Sequence, residues 1–180
     1  MKGLKKFTNF VPGSTIYNDS NLTIETHNLN HPGGCVSYKI TEKYPGKKNK
    51  IVVFATDFEP DGGTQDRELI KWWKGAHIII ADGQYDLPES KEKKGWGHSN
   101  PFTNVDLAIK AGGVGEIIMT HHDPNSSDKY LNALEDRVVK YAKKEDPNLK
   151  VSFAREGKSF ELTDGLSRQE LQDAFKYLAA

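Results

Sequence analysis

The sequence predicts an α/β (α+β) fold, a mixed sheet with helices packed on it. Three observations carry this. Residues 22–28 and 35–41 alternate apolar and polar side chains around a Pro32-Gly33-Gly34 turn, the pattern of a hairpin. Continuous apolar runs of strand length follow at 51–55, 77–81 and 116–120. Segments with helical spacing separate those runs, and alternating strands and helices mark a sheet covered by helices.

In chain order, residues 43–50 form the tip of a second hairpin, and 51–55 reads as a strand buried on both faces. Gly62-Gly63 leads to Thr64, an expected N-cap, and a helix to about Lys74 with Leu69, Ile70 and Trp73 inward. Residues 77–81 give a buried strand ending at Asp82. The Lys- and Glu-rich segment 88–97 reads as a mobile loop. A helix over 103–111 buries Val105, Leu107, Ala108 and Ala111 and stops at Gly112-Gly113. Strand 116–120 then delivers His121. Ser126 or Ser127 caps a long helix with Tyr130, Leu131, Leu134, Val138 and Tyr141 at helical spacing. A strand at 151–153, a hairpin at Glu156-Gly157 and an appended helix over 167–179 complete the expectation. At 180 residues the chain fits a single domain.

Composition narrows the function classes. Twenty-five basic residues balance 25 acidic ones, so no global field favours nucleic acid or an anionic membrane. The mean hydropathy of −0.67 describes a soluble chain, and the most apolar stretch is too short to span a bilayer. Cys35 is the only cysteine, which excludes an internal disulfide and suits a reducing, cytoplasmic location.

Candidate chemistry gathers just past the ends of the apolar strands, where open α/β sheets place their sites. Asp57, Asp82 and His121 each follow such a run; His31 lies in the turn after the first strand, and His98 in a glycine-flanked loop. Imidazole and carboxylate together suit zinc, manganese or iron. Taken singly, each residue also reads as a turn former or surface side chain. Asp82 reads as orienting a loop; His27 and His77 read as structural, and Trp72, Trp73 and Trp96 as packing residues.

Five stretches resemble the metallo-β-lactamase superfamily, in its phosphodiesterase and ribonuclease Z-like branch. They are Asn30-His31-Pro32-Gly33-Gly34-Cys35 with Tyr38, Ala55-Thr56-Asp57, Ala81-Asp82-Gly83-Gln84-Tyr85, Gly95-Trp96-Gly97-His98-Ser99 and His121-His122-Asp123-Pro124. They follow the family's order over about residues 22–130. The resemblance implies two zinc or manganese ions, with His31 on the first, His121 on the second and Asp57 bridging them. It implies that His98 stabilises a phosphate or assists proton transfer, and that the substrate is a small cyclic phosphate or nucleotide. The family's His-x-His-x-Asp-His cluster is absent from these 180 residues. The chain therefore reads as the C-terminal portion of an αββα sandwich, with weak or no turnover alone. A non-catalytic interaction module, or one half of a split enzyme, are the alternatives. A homodimer or a partner chain would then cover the exposed half-sandwich.

Overall fold

The computed structural model describes residues 9–160 and 162. Its strands are β1 (Thr15–Asn18), β2 (Leu22–Leu29), β3 (Cys35–Glu42), β4 (Lys50–Ala55), β5 (Ile78–Asp82), β6 (Glu116–Thr120) and β7 (Lys150–Phe153). Its helices are α1 (Thr64–Trp73), α2 (Leu87–Glu92), α3 (Pro101–Ala111) and α4 (Asp128–Glu145). The strands make one seven-stranded sheet in sequential order. β1 to β4 pair antiparallel and β4 to β7 pair parallel.

That order explains the layering. Each parallel step moves the chain one strand in the same direction, and right-handed crossovers then put every connecting helix on one face. α1, α3 and α4 lie side by side there. They cover Val53, Ala55, Ile79, Ala81, Ile117, Met119 and Phe153, which meet Leu69, Trp73, Val105, Leu107, Ala108, Leu134 and Val138 in one core.

The opposite face carries Ile40, Val52, Phe54 and Ile80 across neighbouring strands. Phe54 is 40% exposed, so the apolar run 51–55 is buried on one face rather than two. Among the described residues no helix lies over that face.

Other expectations change in detail. β1 precedes the first expected strand. The helix 103–111 begins two residues earlier, at Pro101, with Asn100 capping it. Thr64 is the first helical residue of α1, not its cap; the Asp61 carboxylate accepts from Gln65 and Asp66 N–H instead. Residues 88–97 are not a loop throughout: α2 forms because Asp86 and Glu89 close a capping box around Pro88. Tyr130 is exposed rather than packed, while Leu134, Val138 and Ala142 form the inner face of α4. The turn at Glu156-Gly157 is present, but no strand follows over 158–160. The expected helix at 167–179 lies outside the described residues. Among the described residues no helix is long and apolar enough to cross a membrane.

Candidate functional site

β2, β4, β5 and β6 run the same way, so their C-terminal ends share one edge of the sheet. His31 follows β2, Asp57 follows β4, Asp82 ends β5 and His121 follows β6. The loop between α2 and α3 brings His98 to the same place.

Asp82 is fully buried and organises the rest. One carboxylate oxygen lies 2.9 Å from His98 Nδ1 and 3.2 Å from His121 Nδ1, and it accepts from Asp57 N–H at 3.0 Å. The other oxygen accepts from Gln84 and Ser99 N–H, each at 3.1 Å. Five donors thus surround about four lone-pair positions, so they share the acceptor. In neutral His98 and His121, this arrangement puts the proton on Nδ1 and leaves each Nε2 as a free lone pair. His121 Nε2 lies 3.4 Å from Asp57 Oδ1. A carboxylate that orients histidines from behind is the usual second layer of a metal centre.

Behind Asp82 the polar groups are satisfied. Its carbonyl accepts from Asn104 Nδ2, and Asn104 Oδ1 accepts from the Ser99 hydroxyl at 2.6 Å. Ser99 and Asn104 are both fully buried.

Backbone strain marks the two edge residues. Asp57 and His121 are the non-glycine residues with positive φ among those described, at 60° and 57°. Each left-handed residue costs on the order of 1 kcal/mol. The chain turns sharply there, just past its strand, and the two side chains are brought together.

His31 is held differently. Its Nδ1 accepts from Gly33 N–H at 3.1 Å, which assigns the proton of the neutral ring to Nε2. The Gly97 backbone packs against this ring, and a Cβ at Gly97 would sit 2.3 Å from His31 Cδ2. With φ at 88°, position 97 excludes any side chain on two counts.

Among the described residues, two groupings could hold a metal: His31, Asp57 and His98, and Asp82, His98 and His121. His31, Asp57 and His121 do not make such a group by themselves. In donor chemistry, two imidazoles and a carboxylate fit a divalent ion. His98 and His121 are already oriented to ligate through Nε2; His31 ligates through that atom only if it gives up its bond from Gly33. Cys35 stands close by, but burial and then the Asp57 charge push its thiol up, which keeps it protonated and a poor ligand.

Glu59 escaped the sequence reading. Its carboxylate accepts from Gly95 N–H at 2.7 Å and Gly97 N–H at 3.1 Å, fastening the His98 loop to the segment after Asp57. A lone acidic residue two positions past Asp57 carries no signal of that contact. Trp96 is not a packing residue: its side chain is 62% exposed. Trp73 is buried, and Trp72 stacks on His27 and donates to the Ser37 hydroxyl at 2.9 Å. His77 Nδ1 accepts from Ile51 N–H, a structural tie between strands.

No family model and no curated protein sequence matches the chain. Solved structures do. The short form of human tRNase Z aligns with a TM-score of 0.59 at 16% identity, over 83% of this chain and 46% of that one. The metallo-β-lactamase fold protein YhfI from Bacillus subtilis aligns at 0.58 and 22%, over 84% and 54%. Unliganded yeast PDE1 aligns at 0.59 and 12%, over 82% and 48%. The chain spans about half the length of these structures. Sequential strands, helices on one face and these alignments together give the chain the metallo-β-lactamase fold, in a portion about half as long as the proteins that share it.

Proposed function

We propose that the chain supplies part of a metal-dependent hydrolase site for phosphodiesters, acting on a small cyclic phosphate or nucleotide. One observation carries this reading: Asp57, His98 and His121 come from separate segments and meet around the buried Asp82 carboxylate, and His31, from a fourth, joins Asp57 and His98. The structural neighbours include a tRNase Z and a PDE1, which supports a hydrolase of this class.

Zinc or manganese would suit the donors, with His31 as a ligand of one ion, His121 of a second, and Asp57 shared between them. Such an ion acidifies water and polarises a phosphoryl oxygen. The residues themselves divide the remaining work. Asp57, facing His121 at 3.4 Å, stands between the two ends of the site and can bridge them. His98 keeps Nδ1 on Asp82 and presents Nε2 toward the cluster, where it can hold a proton for the leaving oxygen. Asp82 stabilises that ring in one tautomer.

Purified chain supplied with zinc or manganese should cleave bis(p-nitrophenyl) phosphate. Asp57→Asn should reduce turnover to background, and His98→Gln should lower kcat roughly 100-fold or more with KM little changed. No turnover with either ion, together with no bound metal by elemental analysis, would sink the reading.

A second reading is an interaction module or half-enzyme completed by another copy or chain. The sheet face that carries exposed Ile40 and Phe54, opposite the helices, favours it. Sedimentation velocity that finds only monomer across the micromolar range would remove the homodimer form.

A further inference from the structure

Trp96, two residues before His98, is 62% exposed. A single exposed apolar side chain is ordinary; what sets this one apart is how its backbone is held. Trp96 N–H donates to the Lys93 carbonyl at 3.2 Å. On either side, Gly95 and Gly97 N–H bind the Glu59 carboxylate. Glu59 is in turn tied to Asn30, the residue before His31: its N–H donates to the Asn30 carbonyl at 2.9 Å, and Asn30 Nδ2 donates to its carbonyl at 2.8 Å. The indole is therefore carried on backbone fastened to the His31 turn.

Its position relative to the chemistry follows from its neighbours. Gly97, one residue on, touches the His31 ring, and His98 comes next. On the outer side, Lys93 Nζ lies 5.9 Å from the Trp96 ring and 4.3 Å from the Tyr85 ring. Tyr85 meets His98 edge-on at 5.8 Å. Trp96 and the partly exposed Lys93 thus form a rim, and the buried Tyr85 links it to His98. Lys93 is also 3.8 Å from each of Glu89 and Asp123, which absorb much of its charge. The recognition feature of this rim is the flat ring rather than the ammonium.

We propose that Trp96 is a stacking platform for the base of a nucleotide whose phosphate enters the His31, Asp57 and His98 cluster. This rests on the phosphodiesterase reading and sharpens it, because it makes the base a determinant of substrate choice. Two residues, at most about 7 Å of backbone, separate Trp96 from His98, and the base of a nucleotide lies a comparable distance from its phosphate. Base–aromatic stacking is tolerant of base identity, so discrimination lies between nucleotides and base-free phosphates rather than among bases.

Calorimetric titration of the 180-residue chain with AMP and with ribose 5-phosphate, in the presence of zinc, tests the proposal. Wild type should bind AMP on the order of 10-fold or more tighter than ribose 5-phosphate. Trp96→Ala should bring AMP down to the ribose 5-phosphate level and leave ribose 5-phosphate unchanged. Trp96→Phe should recover much of the difference. If both ligands bind wild type equally, or Trp96→Ala leaves AMP unaffected, the platform is overturned while the phosphate site stands. If neither ligand binds, both the platform and the phosphodiesterase reading fall.

Discussion

Asp82 holds the candidate site together at the level of single residues. It has no exposure, and its carboxylate accepts from two histidine rings and three backbone amides. Asp82→Asn replaces one acceptor oxygen with an NH₂ that faces donors. It should cost about 1–3 kcal/mol of stability, read as a shift in urea midpoint. It should also weaken zinc binding roughly 10- to 100-fold, read by competition with a chelating dye. Loss of stability without loss of metal affinity would deny Asp82 an orienting role. Gly97→Ala attacks the site from the other side. The new methyl would enter the His31 ring, and the left-handed backbone would be strained, so a cost of about 2 kcal/mol or more is expected by the same urea measurement.

Among the elements, α2 shows how local chemistry decides structure where hydrophobic pattern says nothing. It buries no residue, so its cap and a polar tie hold it, Asn100 Nδ2 donating to the Ser90 hydroxyl at 3.2 Å. Asp86 caps it, exchanges hydrogen bonds with Glu89, and pairs with Arg137 of α4. Asp86→Ala should cost about 0.5–2 kcal/mol and speed amide exchange over α2 while β5 and β6 stay protected. Equal exchange in α2 before and after the substitution would show that the cap is not what holds it. The Asp86-x-x-Glu89 spacing with Pro88 was the available signal. The Lys and Glu content of the segment masked it. β6, by contrast, was legible to the residue, because its apolar centre, Ile117-Ile118-Met119, is buried between β5 and β7.

Among the described residues, one face of the sheet is covered by helices and the other is bare. Phe54 and Ile40 lie on the bare face, 40% and 36% exposed. Phe54→Lys should leave the urea midpoint nearly unchanged and reduce binding of a hydrophobic dye; a large loss of stability would mean that this face is already covered. Titration of His27 acts on the opposite face, where the ring stacks on Trp72 at 5.1 Å. Burial lowers its pKa from the ordinary 6.5; Glu68 opposes this and Lys39 adds to it. The folded state therefore favours neutral His27, and unfolding takes up a proton below pH 6.5. Stability from this group is present above that pH and is lost as pH falls through 6.5 toward the lower folded value. His27→Phe should flatten the decline in urea midpoint between pH 7.5 and 5.

Much of the fold could be read from residues 22–153, because strand and helix periods are local properties of the chain. So could the candidate residues, since they follow the strands at short, countable distances. Sequence by itself determined the order of elements from β2 to β7 apart from α2, the shared edge at which the polar groups emerge, and the absence of a His-x-His-x-Asp-His cluster within these 180 residues. Tertiary structure alone decided that Asp82 lies behind two histidines, that Glu59 ties down the His98 loop, and that Trp96 faces water. Those facts depend on contacts between residues 16 to 39 positions apart, and on which face of the sheet receives the helices. A linear pattern holds neither.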